Sequence, residues 1–98
     1  MNESLQERHQ DMICKIVKQI IPNADVFLFG SRANGTAIPS SDADLAIRAD
    51  APLDFKTRAQ LTEAFSESDL PFSVDVVDMR SVDPEFLTVI EKHAVMLC

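Results

Sequence analysis

Val26-Phe27-Leu28-Phe29 is an unbroken apolar run that stops on Gly30, the pattern of a strand buried inside a sheet. Such a strand needs partners, and the chain supplies them. Leu45-Ala46-Ile47 and the valine-rich stretch Ser73 to Asp78 read as two more strands. Upstream, Leu5, Met12, Ile13, Ile16, Val17, Ile20 and Ile21 recur at three- and four-residue steps, an amphipathic helix that Pro22-Asn23 ends. Asp54 can cap a second helix with a core face of Phe55, Ala59, Thr62 and Phe65, and Pro71 marks its stop. Asp83-Pro84 opens a third, with Phe86, Leu87 and Ile90 as its apolar face. The tail Ala94 to Cys98 fits either an edge strand or a docked extended end. The order predicts an α/β (α+β) fold, a small mixed β-sheet packed with helices in two or three layers.

The chain has 98 residues, enough for one hydrophobic core, so residues 1–98 are expected to form a single domain. Sixteen acidic against nine basic residues give a net charge of −7. That sign disfavours unaided nucleic-acid binding, which rests on neutralising phosphates. Two cysteines, Cys14 and Cys98, show no spacing of a metal knuckle or a disulfide framework, which implies a reducing compartment. No apolar run approaches membrane-spanning length, and the polar amino terminus is not a signal peptide, so a cytoplasmic protein is expected.

The chemistry is concentrated in Gly30-Ser31, ten further residues, then Asp42-Ala43-Asp44. Glycine lets the backbone leave a strand sharply and approach a ligand closely. Ser31, opening a brief helical turn through Ala33, offers a hydroxyl and backbone N–H groups to a polyphosphate. Asn34 to Ser41 is rich in turn-forming residues and reads as a surface loop. Residues two apart on a strand share a face, so Asp42 and Asp44 stand roughly 7 Å apart and converge through their side chains. Two like charges there call for a cation, and hard divalent ions take oxygen ligands. Asp75, in the apolar setting of Val74-Asp75-Val76-Val77-Asp78, is the third carboxylate, a metal ligand or the acceptor of the attacking group's proton. Asp78, three positions on, faces the other way and reads as a strand-end residue.

Phe29-Gly30-Ser31-Arg32-Ala33, Gly35 and Ser41-Asp42-Ala43-Asp44-Leu45-Ala46 together resemble the signature of the minimal nucleotidyltransferase (MNT) family, part of the DNA polymerase beta-like superfamily. The resemblance extends over nearly the whole chain through the Asp75 strand, the closing helix and the apolar tail. It implies that Gly30 and Ser31 hold a triphosphate and that Asp42, Asp44 and Asp75 are the catalytic carboxylates and ligands of Mg²⁺, or of Mn²⁺ in its place. Small members of the family often pair with a HEPN-domain ribonuclease. In such pairs the MNT protein acts as antitoxin, in some cases by moving AMP from ATP onto the partner's tyrosine.

The expected function is therefore Mg²⁺-dependent transfer of AMP from ATP to a hydroxyl of a partner protein, a HEPN ribonuclease. Larger relatives carry extra domains to hold the acceptor, so here something else is expected to present the hydroxyl. Two other readings remain open: an antitoxin that works by occlusion, and the nucleotide-binding subunit of a two-chain small-molecule transferase. Arg32 can add its guanidinium to the phosphate site, although an arginine beside a cap more often packs its stem or pairs with an acid. Arg48 is left out of the site. His9 and His93 lack metal-ligand spacing and read as surface or helix-end residues.

Overall fold

A computed structural model describes residues 6–30 and 42–98. The elements are α1 (Glu7–Ile20), β1 (Asp25–Phe29), β2 (Ala43–Arg48), α2 (Phe55–Ser66), β3 (Val74–Asp78), α3 (Pro84–His93) and β4 (Val95–Met96). The strands form one mixed sheet in the order β3-β2-β1-β4. β1 is antiparallel to both β2 and β4, whereas β2 and β3 are parallel. The tail thus resolves as an edge strand, with Leu97 N–H donating to the Val26 carbonyl at 2.8 Å beyond it.

Alternation along the strands builds three layers. Val26, Leu28, Leu45 and Ile47 point to one face and meet Ile13 and Val17 of α1 and Leu61 and Phe65 of α2. Phe27, Phe29, Ala46 and Val77 point to the other, where Ile90 and Leu87 of α3 cover them together with Met79. Full burial of each large aliphatic side chain contributes roughly 2 kcal/mol, so the two-helix face dominates stability.

Helix α2 starts where its cap predicts, Asp54 accepting the Thr57 N–H at 2.7 Å, but of its predicted core face Phe65 alone is buried. Phe55 is 88% exposed, and Ala59 and Thr62 are exposed with it. The buried ridge is Leu61 and Phe65, with Thr57 and Ala64 half-buried beside them. His9 lies in the first turn of α1, a helix-end position as expected, but it is buried and not at the surface, its ring edge-on to Phe72 at 5.4 Å between centroids.

The cysteines correct a third expectation. Cys14 and Cys98 are joined by a disulfide across 84 residues, with Cα atoms 6.2 Å apart. Local spacing carries no sign of it, because the approach is made by the tail lying along β1 beneath α1, where Gln10 Nε2 also donates to the Leu97 carbonyl at 3.0 Å. The pair removes cysteine usage as a ground for a reducing compartment. No helix among the described residues is long and apolar enough to cross a membrane.

Candidate active site

The end of β1 and the starts of β2 and β3 lie at one end of the sheet. Phe29 is the antiparallel register partner of Asp44, and Asp44 is the parallel register partner of Asp75. Adjacent strands run about 5 Å apart and register partners share a face, so Phe29, Asp44 and Asp75 form a row on the α3 side. Asp42 stands immediately before β2 and is exposed.

Gly30 closes this row. Its φ of +75° lies in the left-handed region that side chains other than glycine rarely adopt. A Cβ there would collide with Asp44 Oδ2 and lie 3.2 Å from its Cγ. The glycine therefore serves both to turn the chain and to leave space beside a carboxylate. A Gly30→Ala protein is expected to lose about 1–3 kcal/mol of stability and to push Asp44 out of line. Thermal unfolding and transfer activity check this, and an unchanged protein in both would show that the space has no role.

Asp44 is half-buried, and its carboxyl is pushed above the ordinary range, first by desolvation, then by the negative charges of Asp75 and Asp42. The three carboxylates thus share one electrostatic environment. They do not close into a cage: among the described residues no three His, Cys, Asp or Glu side chains converge as a metal-holding group.

Asp75 differs from its predicted setting. It is exposed, because β3 is the edge of the sheet, so its charge carries no burial cost and does not by itself demand a metal. Asp78 is the buried one, 2% exposed, and its role is structural. It accepts hydrogen bonds from Leu53 N–H at 2.8 Å, Arg80 N–H at 2.9 Å and Ser81 Oγ at 2.7 Å, tying the end of β3 to the segment before α2. Arg48 is engaged elsewhere, paired with Asp25 at 2.9 Å and lying over the Phe27 ring at 5.2 Å. Ser31 and Arg32, the other expected nucleotide ligands, lie outside the described residues, as do the turn through Ala33 and the loop to Ser41.

A cavity of about 510 Å³ beside the end of α2, lined by Phe65, Pro71, Phe72 and Val74 among others, has no ionisable lining group, and Val74 packs on the sheet face opposite to the one that carries Asp75. Chemistry is therefore assigned to the open row and not to this hollow.

The profile of the family described as "Polymerase beta, Nucleotidyltransferase" matches residues 12–98. The chain belongs to this family. A Haemophilus influenzae protein named as a probable protein adenylyltransferase, MntA, is 46% identical over 82 residues, 84% of this chain and 72% of the relative. The Shewanella oneidensis protein adenylyltransferase MntA is 36% identical over 78 residues, 79% of this chain and 55% of that protein. A toxin–antitoxin crystal structure with AMP-PNP superposes with a TM-score of 0.80 at 31% identity, covering 91% of this chain and 72% of the other. A Shewanella oneidensis MNT antitoxin in complex with its tri-AMPylated HEPN toxin gives a TM-score of 0.75 at 27% identity, over 96% and 72%. Within the polymerase beta nucleotidyltransferase family the Gly30 turn and the Asp44–Asp75 row occupy a nucleotidyltransferase fold, as their order in the sequence implies.

Proposed function

We propose that this nucleotidyltransferase moves AMP from ATP to a hydroxyl group of a HEPN-class partner protein. The observation that carries the reading is the row itself: Gly30 leaves open space against Asp44, and Asp75 stands next to Asp44 on the same face. The relatives named protein adenylyltransferases and the AMPylated HEPN complex support the choice of AMP and partner.

An all-carboxylate donor set, in which desolvation and then the charges of Asp75 and Asp42 push the Asp44 carboxyl upward, suits a hard divalent cation such as Mg²⁺, or Mn²⁺ in its place. Asp42, Asp44 and Asp75 would hold it. When bound, the cation supplies Lewis-acid polarisation of the α-phosphate and neutralises charge on the departing pyrophosphate. The residues of the chain do the rest. The turn at Gly30, with Ser31 and Arg32 beyond it, grips the triphosphate. Asp75, exposed at the open side of the row, accepts the proton of the incoming hydroxyl. The acceptor oxygen bonds to the α-phosphorus as the bond to the bridging oxygen breaks, and pyrophosphate leaves in line.

A cytoplasmic location follows from the ATP requirement, and cell fractionation checks it. The function is tested by incubating the protein with the product of its neighbouring gene, Mg²⁺ and ATP labelled at the α-phosphate. Label is expected on the neighbour with wild-type protein and not with the Asp42→Asn, Asp44→Asn double variant. Label on neither, with the neighbour nonetheless bound and inhibited, would replace transfer by occlusion.

A further inference from the structure

The row beside the carboxylates begins with an aromatic pair that the reaction as described does not use. Phe29 is the register partner of Asp44, and the ring of Phe86, from the first turn of α3, meets it edge-to-face with centroids 6.0 Å apart at 78°. Phe86 is predicted from periodicity to be a core residue of α3, yet it is 39% exposed. A partly uncovered phenylalanine thus packs on the register partner of Asp44, on the side of Asp44 away from Asp75.

We propose that Phe29 and Phe86 are the platform for the base of the nucleotide, selecting a purine nucleoside triphosphate. This rests on the proposed nucleotidyl transfer. In-line displacement fixes which group can use the platform. The pyrophosphate leaves toward the Gly30 turn at the end of β1, so the acceptor approaches from the opposite side, past Asp75 on β3. The Phe29–Phe86 pair is on the β1 side of Asp44, which excludes the acceptor and leaves the nucleoside. A base offers a flat, weakly hydrated π-face, and an aromatic platform holds it without hydrogen bonds. The larger surface of a purine gains more from such stacking than a pyrimidine does. Arg48, on the same sheet face, is already paired with Asp25 and does not compete for the base.

The test separates the base from the phosphates. Equilibrium binding of Mg²⁺–ATP and of Mg²⁺–tripolyphosphate is measured for the wild type, Phe86→Ala and, as an exposed-aromatic control, Phe55→Ala. Phe86→Ala is expected to weaken ATP about tenfold, to leave tripolyphosphate unchanged and to reduce the preference for ATP over CTP. Phe55→Ala leaves all three unchanged. The chain contains no tryptophan, so Phe86→Trp introduces a single reporter, whose fluorescence ATP is expected to quench and tripolyphosphate is not. ATP binding equal in wild type and Phe86→Ala, or equal losses of both ligands, overturns the platform while leaving the transfer reading in place. A wild-type protein that binds neither ligand overturns both.

Discussion

An Asp44→Asn protein will fold as the wild type does and lose nucleotidyl transfer by about a thousandfold or more. Asparagine keeps the shape of the side chain but not the charge that holds a divalent cation. The same change removes the repulsion that Asp75 and Asp42 exert on Asp44, and with it the cost of holding a half-buried anion. The sign follows from linkage. A carboxyl whose folded pKa is raised binds its proton more tightly when folded, so its ionised form at neutral pH opposes folding. The variant is therefore expected to be no less stable than the wild type in urea unfolding. Such a split, activity lost with stability kept, marks a residue retained for chemistry. Full activity in Asp44→Asn would remove this carboxylate from the reaction.

Asp78→Ala gives the reverse split. The buried carboxylate satisfies two backbone N–H groups and the Ser81 hydroxyl, and alanine leaves all three without it. Hydrogen bonds to a charged group contribute roughly 1.5–3 kcal/mol each and are not additive, so a loss of about 3–5 kcal/mol is expected. That is a large share of the roughly 5–15 kcal/mol that holds a domain folded. Burial raises the Asp78 pKa, but the hydrogen bonds from Ser81, Leu53 and Arg80, with the Arg58 charge, outweigh it, so its pKa lies below the ordinary carboxylate value. Its depressed pKa contributes stability that is present above the unfolded value and lost as pH falls through the folded one. Urea unfolding of wild type and variant should thus show its widest gap near pH 7, narrowing below about pH 4. A gap under about 1 kcal/mol at pH 7 would show that the three bonds do not hold the β3 end in place.

The parts of the fold legible in the sequence are those written in local pattern. The α1 periodicity, the apolar β1 run and the Asp54 and Asp83 caps each specify an element by themselves. The Gly30 turn was legible for the same reason, since a glycine ending an apolar strand has few other uses. Properties that depend on strand order were not. Asp75 looks buried within its valines and is exposed because β3 is an edge. Asp78 looks like an ordinary strand end and is the buried anchor, because the segment before α2 folds over it. The α2 face is ambiguous in the sequence because Phe55-Ala59-Thr62-Phe65 and Thr57-Leu61-Ala64-Phe65 fit a helical period equally well. The first-turn aromatic weighted the wrong set. Cys14 and Cys98 are brought together by tertiary contacts alone, and Phe86 carries no local sign that its ring meets Phe29 beside a carboxylate.

Intact-mass spectrometry of the HEPN-class partner, after incubation with this protein, Mg²⁺ and ATP, tests the central claim most directly. The account predicts a partner heavier by one or more AMP units, with no gain when Asp44→Asn protein is used or when the divalent cation is chelated. A partner of unchanged mass that is still bound and silenced would contradict it.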